Sequence, residues 1–259
     1  MHSARQQRRI YAVINQKGGS TKTTTAVNTA AALVARGRRV RLHDLDPQEG
    51  SSTLWLPPQM DVGAGMYDVF DDRRTIDEAT STTSIENLYI VPSWTSLRQI
   101  EMTRPAGSEL VLRTSLLNSD APVDDEIIDC PHSMDVLAIA GIAAATHLII
   151  PVQASALDVV GMGELLELSE RVKRRLNPDL TIAAIVVGRT KGNTNFDTNL
   201  LAQFERQYPA AVVLPVHDSV RMREATNKNL PINLFEPGGK ATGDFRLLAE
   251  RLDDLAVAA

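Results

Sequence analysis

Short apolar runs alternate with amphipathic stretches along the whole chain. The apolar runs fall at 10–16, 39–44, 87–92, 125–130, 147–152, 181–187 and 211–216, each of strand length. Between them, 23–36, 108–118, 134–145, 157–176, 195–207 and 242–256 are spaced as helices. In the last stretch, Thr242-Gly243-Asp244 opens the helix, and Phe245, Leu248, Leu252 and Leu255 lie on one face. Strand following helix in this way predicts an α/β domain built on a mostly parallel twisted sheet with helices on both faces. Ligands of such a sheet bind outside the C-terminal ends of its strands. Residues 53–86 are less regular, and Asp71-Asp72-Arg73-Arg74 reads as a surface loop.

At 259 residues the chain fits one large domain, expected over 10–259. Residues 1–9 are polar and basic without an apolar core, so they are expected to be a short disordered leader and not a signal peptide. Hydrophobic residues make up 43% and aromatics only 4%, which predicts an aliphatic core. One cysteine excludes a disulfide scaffold and suggests a reducing, cytoplasmic setting. No run of 18 apolar residues is present, so no membrane span is expected.

The densest chemistry follows the first apolar run. Lys17-Gly18-Gly19-Ser20-Thr21-Lys22-Thr23-Thr24 joins a strand to a helix N-terminus. Backbone N–H groups and the helix dipole converge there and favour an anion. Lys22 supplies a cation for terminal phosphates, and the Thr23 hydroxyl suits Mg²⁺. Thr21 stands where the phosphate-loop pattern has glycine, and a β-branched residue makes positive φ costly. Two acidic motifs follow. Asp44-Leu45-Asp46-Pro47-Gln48 ends the second strand, and Asp129-Cys130-Pro131 ends the fourth. Taken alone, each acid reads better as a turn cap; the alternative for the loop is a Gly/Thr-rich helix cap without nucleotide. In order, the three form a nucleotide site with Mg²⁺ held near Thr23, Asp46 and Asp129.

This ordered set resembles the ParA/MinD family of deviant Walker ATPases, and most closely the ParA-like plasmid and chromosome partition ATPases. The tail pattern Leu214-Pro215 … Val220-Arg221 … Glu224-Ala225 … Pro231-Ile232 … Asp244-Phe245 is similar to the ending of partition members. The resemblance covers nearly the whole chain and implies a P-loop fold that binds ATP with Mg²⁺ and hydrolyses ATP weakly by itself. It implies that Gly18, Gly19, Ser20, Thr21, Lys22, Thr23 and Thr24 hold phosphate and that Lys17 reaches across a dimer to the partner's nucleotide. It further implies that Asp46, with Asp44 beside it, positions the hydrolytic water, and that Asp129 is the Walker B acid. Many relatives place an asparagine after the 181–187 strand to contact adenine; here the residues are Val187-Gly188-Arg189-Thr190-Lys191.

The net charge of −5 argues against a simply basic nucleic-acid binder. Charge is segregated, however. Within 189–228, Arg189, Lys191, Arg206, Arg221, Arg223 and Lys228 face only Asp197, Glu205, Asp218 and Glu224, a local net of +2. By itself this is a mixed solvated surface. The resemblance makes Arg221, Arg223, Lys228, Arg189 and Lys191 candidates for non-specific contacts to double-stranded DNA. It implies an ATP-dependent homodimer, a nucleoid-associated location, and a ParB-like or cargo-adaptor protein that stimulates hydrolysis. A MinD-like membrane-positioning ATPase is the first alternative, but the tail Leu248-Ala249-Glu250-Arg251-Leu252-Asp253-Asp254-Leu255 is too acidic for an anionic membrane. A metabolic ligase of the dethiobiotin synthetase type is the second. Cys130 reads as a small buried residue, the five histidines as structural or surface groups, and Trp55 and Trp94 as partly buried.

Overall fold

The central strands are short and almost wholly buried, which requires a sheet covered on both faces. In β5, all five residues of DEIID are inaccessible. The computed structural model describes residues 8–19, 21–48, 51–59, 63–153, 156–190, 195–217 and 219–257. In chain order its elements are β1 (Arg9–Val13), α1 (Lys22–Val34), β2 (Val40–Asp44), α2 (Ser52–Trp55), α3 (Met66–Phe70), β3 (Ser81–Thr82), β4 (Leu88–Val91), α4 (Arg98–Thr103), α5 (Ser108–Leu117), β5 (Asp125–Asp129), α6 (Val136–Ala144), β6 (His147–Gln153), α7 (Ala156–Arg175), β7 (Thr181–Thr190), α8 (Asn195–Gln207), β8 (Val212–His217), α9 (Val220–Asn227), α10 (Ile232–Phe235) and α11 (Lys240–Val257). The strands form one eight-stranded sheet in the order β3-β4-β2-β5-β1-β6-β7-β8. Only β3 is antiparallel to its neighbour, so the expected α/β class is the observed one.

The seven expected strands are all present, with shifted ends. The first stops at Val13, because Ile14–Gln16 already belong to the following loop; the sixth runs on to Thr190. Helices α2, α3, α4, α9 and α10 and strand β3 were not predicted. Each is too short to display a period, and such helices depend on packing more than on propensity. The last helix begins at Lys240, ahead of Thr242. Arg8 and Arg9, expected in a leader, belong to the fold: Arg9 opens β1 and Arg8 reaches Glu126 at 3.1 Å.

Two apolar layers sandwich the sheet. One packs Ile128, Ile150 and Ile185 against α5, α6, α7 and α8 through Leu112, Leu137, Leu165 and Phe204. The other packs Val13, Leu42 and Ile127 against α1 and α11 through Val27, Leu33, Phe245 and Leu248. Because β1 leads to α1 on one face and its neighbour β5 leads to α6 on the other, their C-terminal ends diverge and leave a crevice between them. Helix α1 is alanine-rich on its buried side, which lets it lie close over the sheet. It ends at Gly37, whose φ of +83° is left-handed and whose N–H donates to the Val34 carbonyl at 2.8 Å. Trp55 is more buried than expected and donates its indole N–H to the Leu230 carbonyl at 3.0 Å, whereas Trp94 is half exposed.

Buried charges fasten the N-terminal ends of the strands. Arg41, inaccessible to solvent, makes two bonds to Glu126 at 3.0 and 2.8 Å, and also bonds Asp77 and Ser119. His43 Nε2 lies 2.7 Å from the same carboxylate. On the opposite face Arg9 and Arg38 hold Asp125, and Arg9 continues to Asp253 of α11 at 2.9 Å. Burial pushes the Glu126 pKa up, but His43 and Arg41 outweigh it and hold the carboxyl below its ordinary value of 4.5. A depressed carboxylate stabilises the fold above the unfolded pKa and ceases to do so as pH falls through the folded one. Glu126→Ala, which leaves buried Arg41 with Asp77 as its remaining acid and His43 without its carboxylate, should therefore cost about 3 kcal/mol near neutral pH, and the deficit should shrink in acid. Denaturant titrations at both pH values test this; an unchanged midpoint at neutral pH would show that the network adds nothing.

Candidate functional site

At the other end of the same strands, β2, β5 and β1 lie side by side, and each ends in one of the sequence motifs. After β1 the chain turns over 14–21 into α1. Asn15 shapes this turn: its Nδ2 donates to the Pro151 carbonyl at 2.6 Å and its Oδ1 accepts from the Lys17 N–H at 3.1 Å. Gln153, at the end of β6, donates to the Gly19 carbonyl. Gly19 and Thr21 both have left-handed backbones, with φ of 74° and 69°. The strain expected at Thr21 is thus present, on the order of 1–3 kcal/mol for a non-glycine residue. Thr21 is the N-cap of α1, and its carbonyl receives the Thr25 N–H at 2.8 Å.

Lys22 is the first residue of α1 and is buried. Burial lowers its pKa, while the charges of Asp129 and Asp46 raise it. Thr23 stands beside Asp129, and the Thr24 carbonyl accepts from Asn28 at 2.7 Å. Gly18 and Gly19 are exposed, and Ser20 lies outside the described residues.

Asp44 and Asp129 face each other across β2 and β5 in direct register. Asp44 is fully buried, and its oxygens accept from the Thr53 N–H at 2.8 Å, the Thr53 hydroxyl at 2.5 Å and the Asp46 N–H at 3.1 Å. Asp44 thereby anchors the 44–53 loop. Asp46 is only half-buried, its Oδ1 accepting from the Gln48 N–H at 3.0 Å. Asp129 Oδ2 accepts from the Ser52 hydroxyl at 2.6 Å, while buried Oδ1 has no hydrogen-bond partner. Burial pushes Asp44 up to about 6. Burial, then the Asp44 charge, pushes Asp129 up to about 7, against the pull of Ser52 and Thr23.

A divalent cation fits this donor set. An unpartnered carboxylate oxygen beside a threonine hydroxyl offers hard oxygen ligands. Among the described residues no cluster of three or more His, Cys, Asp or Glu could enclose a metal. Mg²⁺ suits such an open site, since it keeps several waters and takes further oxygens from phosphate.

Sequence comparison places the site in a family. The family model described as "AAA domain" matches residues 8–182. The sporulation initiation inhibitor protein Soj of Bacillus subtilis is 31% identical over 94% of this chain and 98% of its own. The chain belongs to the ParA/MinD family of ATPases. The chromosome partitioning protein ParA of Myxococcus xanthus is 30% identical over 94% of this chain and 87% of its own. Among solved structures, cobyrinic acid a,c-diamide synthase from Mycobacterium smegmatis, with a bound ATP analogue and magnesium, superposes with a TM-score of 0.78 at 29% identity, covering 94% of this chain and 93% of that one.

Within this ParA/MinD chain the motif residues Lys17, Gly19, Thr21, Lys22, Thr23, Asp44, Asp46 and Asp129 gather at one end of the sheet. Of the DNA candidates, Arg221 and Arg223 are on α9 and Lys228 follows it directly. Arg221 is exposed, but its guanidinium is held by Glu224 at 2.7 Å and Glu236 at 3.4 Å and lies over Phe235. Arg223 and Lys228 are exposed. The Arg189 side chain and Lys191 lie outside the described residues. Among the described residues no helix is long and apolar enough to cross a membrane. Sequence reasoning missed Asn15, Ser52, Thr53 and Gln153. The run Ser51-Ser52-Thr53 placed directly after the acidic motif was the available signal for two of them.

Carboxylates with raised pKa values favour the folded state most when protonated, and that advantage is lost as pH rises through 6 to 7. Asp129→Asn should therefore raise the melting temperature of the nucleotide-free protein near pH 8, with the gain vanishing only below the ordinary carboxyl value of 3.8. Thermal scans at both values check it, and a variant equally or less stable at pH 8 would refute the charge conflict.

Proposed function

We propose that the chain is a partition or positioning ATPase that binds ATP with Mg²⁺, dimerises around the nucleotide, and holds double-stranded DNA without sequence preference. The observation that carries this reading is the unpartnered buried Oδ1 of Asp129 beside Lys22 at the N-terminus of α1. The loop N–H groups and Lys22 receive the β- and γ-phosphates. Thr23 and Asp129 would hold Mg²⁺, which would neutralise phosphate charge. Asp46, half-exposed where Asp44 is locked, orients a water for in-line attack on the γ-phosphorus. The bond from that phosphorus to the bridging oxygen breaks, giving ADP and phosphate. Asp44, the neighbouring acid, is held by Thr53, so unassisted turnover is slow and a ParB-like or cargo-bound protein accelerates it. Lys17 completes the site of the opposite subunit. The nearby structure named for a cobyrinic acid amidation enzyme keeps a metabolic ligase as the second reading; ADP release that depends on a small acid and an amine donor would select it.

Lys22→Ala should abolish ATP binding, because the backbone cradle alone cannot neutralise the terminal phosphate. Asp46→Ala should keep binding and lose turnover by roughly 10²-fold, the scale of a water-orienting group. Calorimetry and steady-state phosphate release separate the two, and unchanged ATP affinity in Lys22→Ala would sink the site assignment.

DNA retention should require ATP, since two subunits double the phosphates neutralised, and the salt slope grows by about 0.9 for each contact. Arg223→Ala and Lys228→Ala should weaken binding on every sequence, while Arg221→Ala, already ion-paired with two acids, should weaken it less. Lys17→Ala should shift no DNA, lacking the dimer. Electrophoretic shifts on random-sequence duplex with ATP, ADP or no nucleotide decide this; no shift under any condition removes the DNA carrier reading.

A further inference from the structure

Thr21 occupies the loop position where the phosphate-loop pattern has glycine, and its side chain must go somewhere. It points to the end of β7. A Cβ built on Gly188 would stand 3.1 Å from Thr21 Oγ1 and 3.9 Å from its Cγ2, with the Val152 carbonyl at 3.7 Å. A contact of 3.1 Å is tighter than carbon normally tolerates, so any side chain at 188 displaces Thr21 by a few tenths of an ångström. Gly188 needs no left-handed backbone, since its φ is not among the positive ones. Its glycine is therefore explained by space and not by conformation.

Thr21 cannot easily yield. It is β-branched, so its χ1 choices are few, and its backbone is already left-handed at φ 69° and ψ 23°. Its carbonyl is tied to the Thr25 N–H, so a push is transmitted to the first turn of α1 and to Lys22. The opposite side of the loop is braced as well: Gln153, which stands opposite Gly188 in the β6–β7 register, donates to the Gly19 carbonyl. The ends of β6 and β7 thus hold the loop from Gly19 to Thr21.

We propose that Gly188 is a positioning residue for the phosphate loop and forms one functional unit with Thr21: the glycine absent from the loop is replaced by space at the strand end that faces it. The inference rests on the reading that this loop binds nucleotide, and it predicts energetic coupling between two positions 167 residues apart in the chain. The prediction concerns nucleotide affinity, because displacing Thr21 misplaces the loop N–H groups while leaving both apolar layers intact.

The test is a double-mutant cycle with wild type, Gly188→Ala, Thr21→Gly and the double variant, each titrated with ATP and Mg²⁺ by calorimetry and melted without nucleotide. Gly188→Ala should weaken ATP roughly three- to tenfold, and the same change in the Thr21→Gly background should weaken it by less than about twofold. Equal weakening in both backgrounds, or none beside Thr21, overturns the proposal and transfers any effect to the Val152 carbonyl or the strand itself. If Gly188→Ala does not fold, a folded double variant supports the pairing and an unfolded one overturns it. A wild type that binds no ATP would defeat the nucleotide reading instead, and the coupling would still be read in the four melting temperatures.

Discussion

The register between β2 and β5 carries the rest of the molecule. Arg41 stands opposite Glu126, and three residues further along the same strands Asp44 stands opposite Asp129. A slip of one residue would turn every side chain to the other face and leave the Arg41 guanidinium buried without its carboxylate. An uncompensated buried charge costs about 3–5 kcal/mol, comparable with the net stability of many domains, so the slipped pairing is not populated. Arg9 and Asp125 do the same for β1 and β5. Ion pairs at one end of the sheet thereby align the acids at the other.

The two ends differ in how their charges are matched. Glu126 and Asp129 lie on one strand, both buried, and burial pushes both pKa values up. At Glu126 the nearby cations outweigh burial and the pKa falls. At Asp129 the largest influence after burial is another acid, Asp44, and the pKa rises. Burial alone is common to both, so the difference is the counter-charge. An end whose charges are satisfied internally is a fastening; an end whose acids repel and whose Oδ1 lacks a donor has the electrostatics that suit a functional site.

The fold class was readable because strand-length apolar runs and helix-length amphipathic runs alternate without interruption. The short helices were not, since α2 and α10 are single turns without a period, held by contacts such as Trp55 to the Leu230 carbonyl. The loop and its acids were readable because residue types with one chemical purpose occur in a fixed order. Their supports were less so: Ser52 reaches Asp129 and Gln153 reaches Gly19 only once the chain has folded, and beyond the Ser51-Ser52-Thr53 run nothing in the sequence advertises it. Arg221 shows the same limit: its charge and Glu224, three residues on in the same helix, were legible, but Glu236 is a partner only in space.

Asp44 and Asp46 show why a pattern of acids needs the folded geometry before roles can be divided. Two residues apart, they are the same residue type at the same strand end, and only the resemblance set Asp46 ahead of Asp44. In the fold, Asp44 is the last residue of β2 and points inward, where Thr53 takes up one oxygen twice and the Asp46 N–H takes up the other. A carboxylate so engaged has little capacity left for water or metal. Those bonds close the 44–53 loop, and the closed loop brings the Ser52 hydroxyl onto Asp129. Asp46, just beyond the anchor, keeps partial exposure and enough proximity to Lys22 to oppose the lowering of its pKa by burial. The inner acid therefore sets where the outer one stands, and the outer one alone combines charge, access and a fixed position at the phosphate end of α1.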